Sequence, residues 1–299
     1  MRAGTNWRRR IVTTSLGLAV FGAIGLAAGS WWAADYLTSP YHRAPGARPE
    51  GSGLVCEDVT LRTADGLDLA AWVVLPKEGA RGTVLVFHGI QGRRRADRLE
   101  FLVRSGFRGI AVDLRAHGES DGTRVSFGWN ERHDVEATVA YARERWPGEP
   151  LAAWGESLGA AAIVYAAQST AELDAVVLES LYDDIGSAYA NRIRLHLPRM
   201  LWPFAWAPRL MLEWRFDLDR DLLRPVDYVP RFDPWRLLLA RGAEDRRVGL
   251  EEFESLCAAA PGAESIVLPH CTHHNLMGCA GSAYAEPLVA FLESRLAAR

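Results

Sequence analysis

Six short, continuously apolar runs are spaced along the chain: Thr83–Phe87, Gly109–Val112, Leu151–Trp154, Ala175–Leu178, Leu237–Ala240 and Ser265–Leu268. Continuous apolar runs of this length read as strands buried on both faces. Helix-length patterns lie between them, near residues 96–105, 130–145, 158–168, 250–259 and 283–297. Strand–helix alternation implies an α/β fold, a mostly parallel central sheet with helices on both faces. A hairpin precedes it, Val59–Leu61 and Leu67–Leu75 around Ala64-Asp65-Gly66. Ligands of such sheets sit at the carboxyl ends of the strands. The polar residues just after the apolar runs are therefore the candidate site.

Gly155-Glu156-Ser157-Leu158-Gly159 follows the run Leu151–Trp154 and opens a helix. In G-x-S-x-G at a strand–turn–helix junction, Gly155 and Gly159 leave room for a sharp turn. The turn lifts the Ser157 hydroxyl above the sheet at a helix N-terminus, where developing negative charge is favoured. A nucleophilic serine needs a base, and the base an orienting acid. Asp245 stands after Leu237–Ala240; Glu244 is its neighbour, and Asp233 lies before the strand, at the wrong end. The base belongs after Ser265–Leu268, where His270, His273 and His274 crowd. His270 is too close to the strand end; His273 is favoured, with His274 as rival. Two backbone N–H groups are needed for an oxyanion hole. Leu158 supplies one, and Ile90, in His88-Gly89-Ile90-Gln91-Gly92, the other. Asp113–Ser120 follows the next strand, with Arg115 and His117 expected to order a turn.

These motifs resemble those of an α/β-hydrolase, of the type related to serine aminopeptidases and monoacylglycerol lipases. Four signatures carry the resemblance in order: HGIQG at 88–92, DLRAHGES at 113–120, GESLG at 155–159, and GAED with HHNL at 242–245 and 273–276. It covers residues 55–297 and implies a Ser157–His273–Asp245 triad with no metal and no organic cofactor. In related sequences Asn-Asp-Leu often follows the base. Here His274-Asn275-Leu276 follows His273, which keeps the two histidines in competition. The implied function is hydrolysis of ester or thioester bonds of lipid-like or small acyl groups through an acyl-enzyme on Ser157. The alternatives are a serine peptidase or amidase of aminopeptidase type, or a non-catalytic binding protein on a hydrolase scaffold. An aminopeptidase needs a carboxylate for the substrate amine, for which Glu179, Asp183 and Asp184 are candidates.

The N-terminus adds a second feature. Arg8, Arg9 and Arg10 precede a stretch, 11–34, without charge. That is long enough to cross a bilayer as a helix, with Trp31, Trp32 and Tyr36 at its far end. The expected order is a basic cytoplasmic tail at 1–10, a transmembrane signal anchor at 11–34, a linker at 35–53 and the hydrolase domain at 54–299. The arginines place the catalytic domain outside the cytoplasm. The alternative is secretion after cleavage near Ala27-Ala28-Gly29. With 34 Lys and Arg against 37 Asp and Glu, the chain offers nucleic acid no basic field.

Residues 182–235 form the expected cap or insertion. They carry Leu195, Met200, Trp202, Trp206, Leu210, Met211 and Trp214, broken by Pro198, Pro203 and Pro208 and interspersed with Arg192, Arg194, Arg199 and Arg209. Three readings stay open: helices packed on the sheet, a lid over an acyl pocket, and a surface that touches lipid. A Cys271–Cys279 bridge is possible outside the cytoplasm.

Overall fold

The computed structural model describes residues 4–39, 46–49, 54–196, 198–204, 206–216 and 219–297. Helix α1 (Gly4–Thr38) comes first, then strands β1 (Val55–Arg62), β2 (Asp68–Leu75) and β3 (Thr83–Phe87). Next are α2 (Ala96–Arg104), β4 (Arg108–Val112), α3 (Arg132–Arg145), β5 (Leu151–Glu156), α4 (Leu158–Tyr165), α5 (Ala167–Thr170) and β6 (Ala175–Glu179). The chain continues through α6 (Ile185–His196), α7 (Trp206–Phe216), β7 (Leu237–Gly242), α8 (Leu250–Ala259), β8 (Glu264–Leu268), α9 (Leu276–Ala280) and α10 (Ser282–Leu296). Short 3-10 turns link α6 to α7 and α7 to β7.

The eight strands form one sheet in the order β1-β2-β4-β3-β5-β6-β7-β8. β1–β2 and β2–β4 pair antiparallel, and every later pair is parallel. Strands β3 to β7 are buried at every residue, which is why they read as unbroken apolar runs. Alternate residues feed two cores. Leu85 and Phe87 face the α3, α4 and α8 side, whereas Val84 and Val86 face the α2 and α10 side. The edge strands β1 and β8 are more exposed, so their sequences are less apolar.

At two places an element runs four residues beyond the sequence reading. β1 begins at Val55 rather than Val59, because Val55–Asp58 pair with Leu75–Trp72 at the sheet edge. Helix α1 continues through Thr38, so the first four residues of the expected linker at 35–53 are helical. Tertiary contacts extend it: Arg124 donates to Asp35 at 2.7 Å, Val125 N–H donates to the Thr38 carbonyl at 3.0 Å, and Ala34 joins the core. Residues 40–45 and 50–53 of the linker lie outside the described residues. Within α1, Arg9–Tyr36 is long and apolar enough to cross a membrane, about 42 Å at 1.5 Å per residue. This fits a membrane anchor or a signal sequence.

The cap splits into two roles. Helix α6 places Ile185, Ala188 and Tyr189 over the site, as a lid does. Helix α7 packs against α1 rather than on the sheet and leaves Trp206, Leu210 and Trp214 exposed.

Candidate active site

Three loops at the carboxyl ends of β5, β7 and β8 converge. Ser157 follows β5 with φ 50° and ψ −103°, a conformation that costs a non-glycine residue about 1–3 kcal/mol. The fold holds it there. Ser157 N–H donates to the Glu179 carbonyl at 2.8 Å, and the Ser157 carbonyl accepts from Ala161 N–H at 2.9 Å. Only glycine fits at the flanks. A Cβ on Gly155 would lie 2.6 Å from Ala160 N, and one on Gly159 2.5 Å from the Phe87 carbonyl oxygen.

His273 Nε2 lies 3.0 Å from Ser157 Oγ, and His273 Nδ1 lies 2.8 Å from Asp245 Oδ2. Asp245 Oδ1 accepts from the backbone N–H of Arg247 at 2.8 Å and of Val248 at 3.0 Å. Burial alone would raise the Asp245 carboxyl. The hydrogen bond from His273, its charge and the two backbone donors outweigh this and hold it below the ordinary value. Burial lowers His273; Asp245 opposes the shift, while His274 and Arg247 add to it. The net effect favours a neutral ring, with Nδ1–H donating to Asp245 and Nε2 free to accept the serine proton.

The other two histidines sit apart from the serine. His274 Nδ1–H donates to Glu156 Oε1 at 3.0 Å, and its Nε2 accepts from Arg247 Nη1 at 2.6 Å. Its ring meets that of His273 edge to face, centroids 4.7 Å apart. His270 is exposed, 3.5 Å from Glu244. Of the three, only His273 is brought to Ser157.

The loop that carries His273 is pinned twice. Cys271 and Cys279 form a disulfide across it, and Ser180 Oγ donates to the His273 carbonyl at 3.0 Å. Closing so short a loop stabilises by roughly 2–3 kcal/mol. Cys271→Ser with Cys279→Ser is expected to lower the unfolding free energy by about that amount. Denaturant midpoints at constant slope measure it; unchanged midpoints would mean that the remaining contacts hold the loop alone.

Ile90 and Leu158 line the same pocket as Ser157 and His273. Two buried histidines shape the Ile90 loop. His88 Nδ1–H donates to the Gly89 carbonyl at 2.8 Å, and its Nε2 accepts from Leu114 N–H at 3.1 Å. Burial and the nearby His117 push His88 down to about 3, so it serves as a neutral clip. His117 Nε2 accepts from Gln91 N–H at 3.2 Å. Arg115 is held by Asp134 and Asp65, an ordered turn as expected.

A family model described as serine aminopeptidase, S33, matches residues 78–217. The esterase Pf2001 of Pyrococcus furiosus superposes with a TM-score of 0.71 at 21% identity, over 86% of this chain and 99% of that one. The α/β-hydrolase GrgF from Penicillium gives 0.63 at 16% identity, over 81% and 99%. The esterase RhEst1 from Rhodococcus gives 0.57 at 16% identity, over 80% and 99%. No curated protein matches the chain. The chain has the α/β-hydrolase fold.

Around this site lie Arg98, Glu156 and Arg247, which the sequence reading did not single out, beside Glu179, which it did. Glu156 and Glu179 are register partners on β5 and β6. Arg98 Nη2 bridges them at 2.7 and 2.6 Å, over the Trp154 ring, while Trp154 Nε1–H donates to Glu179 Oε1 at 2.7 Å. Burial would raise Glu156, but His274, Arg98 and Arg95 together hold it low. Glu179 is thus committed to the core, and Asp184 pairs with Arg224 at 2.8 Å. Among the described residues no carboxylate lines the pocket. Its walls are Ile90, Phe127, Leu158, Ile185, Ala188 and Tyr189, joined by Arg192 and Arg247. The only signal for Arg247 was its place two residues after Asp245. Among the described residues no group of three His, Cys, Asp or Glu is disposed to hold a metal.

Proposed function

We propose that the protein is a serine hydrolase that cleaves acyl esters or thioesters through an acyl-enzyme on Ser157. The hydrogen-bonded series Asp245–His273–Ser157 at the strand ends carries this reading. His273 Nε2 takes the Ser157 proton as Oγ bonds to the substrate carbonyl carbon, and the carbonyl electrons move to oxygen. Ile90 and Leu158 N–H groups stabilise that oxyanion. The tetrahedral intermediate collapses, the leaving group departs with the proton from His273, and water releases the acyl group by the same steps. The apolar pocket suits an acyl chain. The amine of a peptide substrate lacks an anchor: of the three candidate carboxylates, Glu179 and Asp184 are engaged elsewhere and Asp183 does not line the pocket.

We place the domain outside the cytoplasm, anchored by α1. Arg8–Arg10 before the span favour a cytoplasmic N-terminus, and the Cys271–Cys279 bridge suits an oxidising compartment. The test is fluorophosphonate labelling of the full-length protein with peptide mapping. The expected result is a single adduct at Ser157, lost in Ser157→Ala. A folded wild type that takes no label would overturn the reading.

A further inference from the structure

Beyond Ser157 and His273 the pocket is walled by aliphatic and aromatic side chains and two guanidiniums, and these last point to the substrate class within the ester-hydrolase reading on which this inference rests. Arg192 comes from α6 in the cap, and Arg247 from the loop that follows β7. Both are half-buried. Four buried arginines of the fold have carboxylate partners, Arg94 with Asp113, Arg98 with Glu179, Arg108 with Glu149 and Arg115 with Asp134, and a fifth, Arg241, is held by the Asp245 and Val248 backbone carbonyls. Arg192 and Arg247 have none among the described residues. Arg247 gives one N–H to His274 Nε2, which leaves the rest of its fork open. Burial and the like charge of Arg247 lower Arg192 to about 10, which leaves it cationic at neutral pH. Two neighbouring cations in an apolar cleft repel each other, an arrangement relieved by an anion between them.

We propose that the substrate is an anionic amphiphile: an acyl ester whose apolar chain enters the cleft and whose phosphate or carboxylate is held by Arg192 and Arg247. Arginine suits this task because its planar fork matches both anions in a bidentate way. The last turn of α1 meets the loop that reaches the pocket: Val125 N–H donates to the Thr38 carbonyl at 3.0 Å, and Phe127 lines the cleft. The cationic mouth thus lies beside the end of the candidate membrane span. That is the level at which the headgroup of a membrane amphiphile sits.

The test uses full-length protein in neutral detergent micelles and two readouts. The first compares kcat/KM for lauroyl glycerol and lauroyl glycerol 3-phosphate. The expected result is a preference of about tenfold or more for the phosphate. Arg192→Met and Arg247→Met should each reduce the ratio of the two constants, and Arg192→Lys should restore most of it. Equal constants in wild type, or a ratio unmoved in both methionine variants, would overturn the proposal.

The second readout titrates dodecyl phosphate and inorganic phosphate into Ser157→Ala by calorimetry. Dodecyl phosphate should bind, and bind more weakly once Arg192→Met is added. Inorganic phosphate binding just as tightly would overturn the amphiphile assignment. The two readings fail separately. If Ser157 labels but dodecyl phosphate does not bind, the anion site falls and the hydrolase stands. If neither ester is cleaved while dodecyl phosphate binds through Arg192, the hydrolase reading falls and the anion site stands.

Discussion

Alanine at His273 is expected to lower kcat for a short acyl ester by about 10⁴- to 10⁶-fold, as removal of a catalytic base does. Alanine at His274 is expected to change it by about tenfold or less, because His274 touches Glu156 and Arg247 rather than Ser157. The pH profile separates the two further. The proposed mechanism needs neutral His273, so activity should be lost as pH falls through its folded-state pKa. Burial puts that pKa below 6.5, and the acid limb of kcat/KM should lie below 6.5 accordingly. His274→Ala removes a group that depresses His273, so its acid limb should move up. Asp245→Asn removes the group that supports the imidazolium, so its limb should move down as the plateau drops. Steady-state kinetics from pH 4 to 9 would decide. A larger loss at His274 than at His273 would reassign the base.

Replacing Arg98 by Met is expected to destabilise the fold by about 3–5 kcal/mol, the penalty for leaving buried charge unpaired. Glu156 and Glu179 are opposite one another on adjacent buried strands, and the Arg98 guanidinium bridges their carboxylates. Removing it leaves two like charges facing each other in the interior. The loss is read from denaturant unfolding followed by tryptophan fluorescence. Glu179→Gln on the Arg98→Met background should recover part of it by removing one charge. If the double variant is no more stable than the single one, charge repulsion is not the source. Because Glu156 also holds His274 and directly precedes Ser157, Arg98→Met should lower activity as well.

The strand ends were legible because burial writes itself into sequence. β3 to β7 are buried at every position, and residues so placed have to be apolar whatever precedes or follows them. Polar residues directly after such runs then stand out, as Ser157 and Asp245 do. The edge strands were less legible, since β1 and β8 are partly solvated and carry mixed residues. The cap was the least legible. Its apolar residues answer to three surfaces at once: Ile185 and Tyr189 to the pocket, α7 to α1, and Trp206 and Trp214 to the exterior. No single helical stripe describes that.

By itself the sequence determined the parallel sheet, the turn at Ser157, the acid after β7 and an apolar N-terminal helix long enough to cross a membrane. Each depends on local order along the chain: a buried run, a pair of glycines, a run of arginines before an uncharged stretch. Tertiary structure alone decided which histidine meets Ser157. His273 and His274 are adjacent and chemically identical, and only the placement of the disulfide-closed loop after β8 turns one toward Ser157 and the other toward Glu156. It also decided that Glu179 belongs to Arg98 and that Arg192 meets Arg247 at the pocket. Those partners are far apart in sequence, and a charge carries no mark of its partner until the chain has closed around it.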